Sequence, residues 1–368
     1  MLLRNHLVFS LTEKAIKKDF FDLRFYQNKS TGVIHHKPSK KLKEFIIKRY
    51  FEDSKNNTEM KLSKHRKKHG ERFIKYLQKS LNKKITNLKI LEIGCGDAYI
   101  INKLKKNNYV CGIELKTKKM NKIKFYKNLE EPLSLNKKFD LIIHNAVLEH
   151  IFDLKNFLKI CKNLLNKNGD MFICVPDCES ALKVGDPSII NHEHINYFTK
   201  KNLLNLMIKN KFFNPKTFTD KYGNLYCHIK KKNNNKEKKI TKNFEKLKNY
   251  KKRYFQLKNK INLWIEKNIL ENDILVLYGA ISTISNIFYN KNFNKKKIYI
   301  VDTDKAKHDL YLSGFTNKIT SVKRFHPYKS CKIMILPINY EKDILNFLKF
   351  NCNISAKMIF KISYFFNK

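Results

Sequence analysis

Glycine, proline, tryptophan and arginine are all scarce in this 368-residue chain, at 10, 7, 1 and 7 residues. With 42% apolar residues and so little glycine and proline, a collagen-like or low-complexity chain is excluded and packed cores are expected. No apolar run approaches the roughly 20 residues that a bilayer span needs. Phe139 to Ile143 and Ile274 to Leu277 are strand-sized. The first residues lack a full apolar region and a small-residue cleavage site, so a cytoplasmic location is expected and a membrane is not expected as a partner. Cysteine is absent before Cys95, and the eight present (95, 111, 161, 174, 178, 227, 331, 352) are scattered through apolar segments. That pattern excludes a disulfide framework and suits buried free thiols.

Charge is plentiful but of one sign. Lys+Arg number 77 against 32 Asp+Glu, a formal net charge of +45. Such an excess ordinarily points to nucleic acid. Here nearly all of it is lysine, whereas phosphate and base recognition favours the planar arginine fork. Abundant Asn, Ile, Phe and Tyr beside scarce Gly and Pro are the mark of codon drift in an A/T-rich genome. Nucleic acid is therefore not expected as the partner.

Residues 1–84 are polar and basic, with apolar residues at helical spacing (Leu42, Phe45, Ile46; Phe73, Ile74, Leu77, Leu81), and read as a helical N-terminal region that contacts substrate. From 85 to 232, strand-like and helix-like runs alternate as in an α/β domain with a parallel sheet. The expected strands are Lys89 to Ile93, Tyr109 to Glu114, Ile123 to Tyr126, Phe139 to His144 and Asp170 to Val175, with Phe213 to Thr219 and Leu225 to Lys230 closing an edge as an antiparallel pair. Residues 233–270 read as a basic linker and a long amphipathic helix from Ile240 to Trp264, which packs on its own domain. A smaller α/β unit fills 271–368, with strands expected at Ile274 to Tyr278, Lys297 to Val301, Lys332 to Leu336 and Met358 to Ile362. The fold class is thus α/β: a Rossmann-like domain, a second smaller α/β domain and the N-terminal region.

The informative stretch is Lys89-Ile-Leu-Glu-Ile-Gly-Cys-Gly-Asp-Ala-Tyr99. A buried strand runs through Glu92, and Gly94-Cys95-Gly96 turns into a helix, where glycines let a ligand approach the backbone. A pyridine-nucleotide fingerprint would place a third glycine at Tyr99, and Glu92 and Asp97 would repel a pyrophosphate. A cationic or zwitterionic ligand suits the loop better. The next strand ends in Glu114, about 20 residues on, where a carboxylate can take ribose hydroxyls.

In order and spacing, these elements and Phe139-Asp-Leu-Ile-Ile-His-Asn-Ala-Val-Leu-Glu-His150 resemble a class I S-adenosylmethionine-dependent methyltransferase. The resemblance implies S-adenosylmethionine as cofactor, with Glu92 organising the loop and facing the methionine ammonium. It implies Gly94, Cys95, Gly96 and Asp97 along the methionine moiety, Glu114 on the ribose, Leu115 and Leu129 beside the adenine, and Asn145 near the sulfonium. Methyl transfer is an in-line displacement, for which the protein aligns the acceptor and excludes water. A carbon or hydroxyl acceptor also needs a base, and histidine suits that near neutral pH.

Asn191-His-Glu-His-Ile-Asn-Tyr-Phe-Thr199 resembles the Glu-His-hydrophobic-x-Tyr-Phe segment of the C-methyltransferases that act on nucleotide-linked deoxysugars. That likeness implies His194 as general base beside a functional Glu193. As a metal pair, His192 and His194 lack an evident third ligand of suitable spacing, so no metal is expected. Val276-Leu-Tyr-Gly279-Ala280 and the Asp302-x-x-x-x-Lys307-x-x-x-x-x-x-Gly314 stretch resemble the same family's C-terminal part. Relatives carry an N-terminal zinc module with paired Cys-x-x-Cys. Its cysteines are missing here, and so is the second glycine after Ala280, which leaves a poor phosphate cradle. Tyr50, His150 and Tyr197 are the candidate acceptor contacts. The expected function is methylation of a small molecule, a nucleotide-linked or surface-glycan sugar, at carbon or oxygen. The alternatives are an RNA methyltransferase, against which stands the lack of an Asn/Asp-Pro-Pro-aromatic motif or a Pro-Cys nucleophile, and a non-catalytic scaffold on a degenerate methyltransferase fold.

Overall fold

The computed structural model describes residues 1–12, 19–56, 64–115, 120, 122–231, 240–288, 297–324 and 331–366, without the side chains of 5, 50–56, 64, 65 and 324. The chain falls into two compact units. One comprises Gln27–Asp177 and Glu193–Phe244, the other Met1–Tyr26, Cys178–His192 and Glu245–Lys368. Among the described residues, no helix is long and apolar enough to cross a membrane.

The first unit is built on seven strands: β1 Lys89–Ile93, β2 Tyr109–Ile113, β3 Ile123–Tyr126, β4 Phe139–Asn145, β5 Leu165–Pro176, β6 Phe213–Thr219 and β7 Asn224–Lys230. They lie in the order β6-β7-β5-β4-β1-β2-β3. The pairings β3-β2-β1-β4-β5 are parallel, and β7 is antiparallel to both β5 and β6. The central strands read as near-continuous Ile/Leu/Val because both faces are covered. Residues of β1 alternate between two cores, as the two-residue strand period requires. Leu91 and Ile93 join the core of α4 (Leu154–Leu164) and α5 (Lys200–Lys209). Ile90 joins that of α2 (Lys64–Leu81) and α3 (Tyr99–Leu104). Glu92 shares the face of Ile90 and so lies beneath α3. The direction of strand order reverses at β1, between β2 and β4, and such a switch point opens a crevice at the carboxyl ends of the strands.

Helix α1 (Lys40–Asn56) and α2 occupy the stretches with helical spacing. Ahead of them the structure adds strands, an antiparallel pair of Leu2–Leu7 with Phe20–Gln27 and the short Ile34–His36. A register shift between Leu3 and His6 interrupts the alternation that would have marked the pair in the sequence.

In the second unit, parallel strands β8 Ile274–Tyr278, β9 Lys297–Val301, β10 Cys331–Ile335 and β11 Ile359–Lys361 lie in the order β9-β8-β10-β11. Gly279, at φ +102°, turns the chain out of β8. The spaced Asp and Lys after β9 form a clamp on that turn: Asp302 accepts from the Ala280 N–H at 3.0 Å and from Lys307 Nζ at 2.8 Å, and Lys307 also donates to the Ala280 carbonyl. Helix α6 (Leu247–Asn268) buries Leu257, Ile261 and Ile265 in this unit's core, as its apolar stripe predicts.

The helix begins seven residues later than the Ile240 expected. Asn205 binds both backbone groups of Thr241, donating to its carbonyl at 2.7 Å and accepting from its N–H at 3.0 Å. That pairing competes with helix hydrogen bonds.

Residues 178–192 belong to the second unit although their neighbours in sequence belong to the first. Tyr250 donates to the Asp186 carbonyl, and Asn286 to those of Pro187 and Ile190. Gly185 ends the short helix Glu179–Val184 at φ +80°, and a Cβ there would stand 2.5 Å from the Arg253 carbonyl carbon. Gly185→Ala is therefore expected to destabilise the protein by more than about 1 kcal/mol, read as a lowered midpoint of thermal unfolding.

Candidate functional site

At the carboxyl end of β1 the chain takes positive φ at Gly94 (66°), Gly96 (52°) and Ala98 (58°). The turn is tied inward: the Gly94 and Cys95 N–H groups donate to the Ile113 carbonyl. A Cβ on Gly94 would lie 2.6 Å from Val147, whereas one on Gly96 would meet nothing within 4 Å, so the loop is open over Gly96. Cys95 is buried, with its sulfur against Gly112, so only its backbone borders the opening.

Three carboxylates surround this turn. Glu92, 3% exposed, accepts from the Ile101 N–H at 3.2 Å and so caps the start of α3 from below. Asp97, exposed at the rim, accepts from the Tyr99 N–H. Glu114 spans the loop and its own strand end, accepting from the Gly96 N–H at 2.7 Å and the Leu115 N–H at 2.9 Å. Among the described residues, no basic side chain forms an ion pair with any of the three. Burial, and after it the charges of Asp97 and Glu114, hold the Glu92 carboxyl well above the usual carboxylate range. Within a chain of net charge +45, three acidic side chains meet at this one turn.

Leu115, 48% exposed, and Leu129, half-buried, are apolar walls beyond Glu114. On the other side of the switch point, at the end of β4, Asn145 is bonded through Nδ2 to His69 Nδ1 at 3.2 Å, and its Oδ1 is buried with no partner among the described residues. His69 reaches Asn224 through Nε2, so both its ring nitrogens are engaged. His69 lies on α2, in the basic helix whose serines and histidines the sequence shows, and nothing in its spacing singles it out.

The acceptor-side residues come from the turn after β4 and the segment entering α5. Asn196 joins them. It is 2% exposed, donates through Nδ2 to the Leu148 and Ile151 carbonyls at 3.0 and 2.7 Å, and meets His35 Nδ1 through Oδ1 at 2.8 Å. The Ile195 N–H donates to the Glu149 carbonyl at 2.7 Å, and His150 Nδ1 contacts the Glu193 carbonyl at 3.1 Å. These bonds bring His194 edge-on to His150, with ring centroids 5.0 Å apart, and to Tyr197 at 6.2 Å. His150, Glu193 and His194 are half-buried.

Tyr197 is 2% exposed and braces His194 from within, presenting no ring surface to an acceptor. Glu149 is buried beside His150, and burial pushes its carboxyl up to about 8. His192 belongs to the other unit, so the His-x-His spacing is not a chelate in the first unit. Tyr50 lies on α1 with its side chain outside the described residues. Sequence reading missed Asn196, His69 and Glu149. Asn196 lies inside the recognisable segment, and Glu149 beside His150.

Two family models match the chain: a methyltransferase domain over residues 63–213 and a C-methyltransferase C-terminal domain over residues 225–363. With the sheet order and the acid-ringed glycine turn, they place the chain. It has the fold of a class I methyltransferase and carries a methyltransferase domain followed by a C-methyltransferase C-terminal domain.

The chain is 33% identical over 130 residues to a ubiquinone biosynthesis O-methyltransferase of Pelagibacter ubique (strain HTCC1062). The match takes in 32% of this chain and spans about half (53%) of that relative's length. Solved structures similar to it include the 1,6-didemethyltoxoflavin-N1-methyltransferase of Burkholderia thailandensis, at TM-score 0.41 and 14% identity over 58% of this chain and 96% of that one. Another is the N-methyltransferase NodS of Bradyrhizobium japonicum WM9, at TM-score 0.36 and 12% identity over 49% of this chain and 97% of that one.

The residues fit S-adenosylmethionine. The carboxylates, without a basic partner among the described residues, match a ligand with an ammonium and a sulfonium, Gly96 leaves room above the loop, and exposed Leu115 offers an apolar surface for a flat ring to cover.

Because the Glu92 pKa is raised, the folded protein holds that proton to higher pH than the unfolded chain. The burial cost of the charged form appears as pH rises above the ordinary carboxylate range. A bound cation favours the carboxylate, so donor binding is expected to release protons, seen as a heat that varies with the buffer's ionisation enthalpy. Glu92→Gln should lose this dependence and weaken binding about tenfold or more. Asn196→Ala, which strands several buried groups, should cost roughly 1–3 kcal/mol in denaturant unfolding.

Proposed function

We propose that this methyltransferase transfers the methyl group of S-adenosylmethionine to a small-molecule acceptor, a nucleotide-linked or surface-glycan sugar, at carbon or oxygen. The observation that carries the proposal is the pairing of a donor-type loop at β1 with a histidine cluster after β4, in a chain whose C-terminal part matches a C-methyltransferase domain.

In this reading Glu92 and Asp97 supply the field for the methionine ammonium, and the Gly94-Cys95-Gly96 backbone lines that moiety. Glu114 retains free lone pairs on both oxygens while bonded to the loop, so it can also accept from ribose hydroxyls. Leu115 and Leu129 flank the adenine. Asn145, turned by His69, directs Oδ1 toward the sulfonium side. S-adenosylmethionine supplies an electrophilic methyl group when bound.

The acceptor's proton goes to His194. Tyr197 and His150 fix its imidazole, and Glu193 adjoins it in the chain. Tyr50 and His150 are proposed acceptor contacts. Lysines of residues 1–84 are placed in the sequence to meet phosphates of an activated sugar, which is the part of the charge assigned to function. The proposed division of labour along the chain is acceptor contacts in 1–84, donor binding in 85–232, linker and helix in 233–270, and support from 271–368.

Methyl-labelled donor offered with nucleotide-linked keto-deoxysugars should yield labelled sugar, and label appearing instead in RNA would overturn the acceptor class. His194→Asn should lower turnover at least about 100-fold while leaving S-adenosylhomocysteine binding unchanged. Unchanged turnover would remove the base assignment and leave the donor site standing.

A further inference from the structure

Glu149, His150 and His194 each offer one ligand atom, and these atoms all lie within 4.8 Å of one another. All three belong to the first unit. Glu149 is 2% exposed, and its Oε2 is buried without a hydrogen-bond partner among the described residues. Its Oε1 stands 3.9 Å from His150 Nε2. A buried carboxylate oxygen left unanswered is costly, and two imidazoles offer ligand atoms within 4.8 Å of this carboxyl group.

His150 is oriented for ligation. Nδ1 lies 3.1 Å from the Glu193 carbonyl, which can only accept, so Nδ1 carries the proton and Nε2 presents its lone pair toward Glu149. A backbone carbonyl that fixes the tautomer and orientation of the ring is the usual outer support of a histidine ligand. His194 is held against the same ring by the Ile195 and Asn196 hydrogen bonds, from a segment 44 residues further along the chain.

We propose that Glu149, His150 and His194 form a binding site for one divalent transition cation, of which Zn²⁺ is the reference case. Two imidazoles and one carboxylate suit Zn²⁺, Co²⁺ or Mn²⁺ rather than Mg²⁺ or Ca²⁺, and three protein ligands leave a coordination position open. Glu149 binds as the carboxylate. Occupancy takes a nitrogen of His194, so on the base assignment made above, a loaded site withdraws His194 from the acceptor and slows methyl transfer. Only that consequence rests on the proposed function; cation binding stands without it.

The test titrates the purified full chain with Co²⁺ and follows its visible absorption, then displaces it with Zn²⁺ in a calorimeter. One ion per chain is expected, with nitrogen-ligand absorption bands. Binding should weaken at least tenfold in Glu149→Gln and in His194→Ala, both checked for folding by circular dichroism and S-adenosylhomocysteine binding. If Glu149→Gln does not fold, the partly exposed His150→Ala takes its place. Binding that is absent, or as tight in the His150→Ala/His194→Ala double variant, overturns the site. Cation binding with turnover unaffected by added Zn²⁺ overturns the base assignment and retains the site.

Discussion

A cluster of acidic side chains at the ends of two neighbouring strands, with no basic partner among the described residues, is the constraint on which the proposed donor site depends. Glu92, Asp97 and Glu114 are gathered about a four-residue turn, and the backbone N–H groups of Gly96, Tyr99, Ile101 and Leu115 are their hydrogen-bond donors. Those bonds order the turn and the start of α3, yet a dipole does not neutralise a charge. In the proposed reading, a zwitterionic sulfonium ligand relieves the remaining imbalance. Because Glu114 directly follows β2 and Glu92 lies in β1, the parallel pairing of those strands sets the spacing of the carboxylates. Packing on both faces of the sheet then fixes the site.

Across the switch point the physics changes from charge to hydrogen-bond geometry. The turn after β4 and the segment entering α5 are joined by Asn196, whose amide meets three partners in a buried setting. One side chain thus couples the pieces that carry Glu149, His150 and His194.

Much of this was legible in the sequence. β1, β3, β8 and β9 run between the residues expected, because buried parallel strands are short apolar blocks with clear ends. The two glycines were visible against codon usage that disfavours glycine, and the acids near them against a chain of net charge +45. Contacts between distant segments were less legible. Glu149 and His150 stand 45 and 44 residues before His194, and spacing encodes helical or strand neighbours rather than tertiary ones. The assignment of residues 178–192 to the second unit rests on hydrogen bonds to carbonyls, which leave no mark on residue pattern. The early strands were hidden by a register shift, and the late start of α6 by one asparagine that binds a backbone from a distance.

The central claim is that the β1 turn and the end of β2 together hold the methyl donor. Hydrogen–deuterium exchange of the full chain with and without S-adenosylhomocysteine tests it most directly. The account predicts slowed exchange confined to residues 92–101 and 112–115, with a smaller effect near 145. Protection absent there, or concentrated on the strands of the second unit, would contradict it.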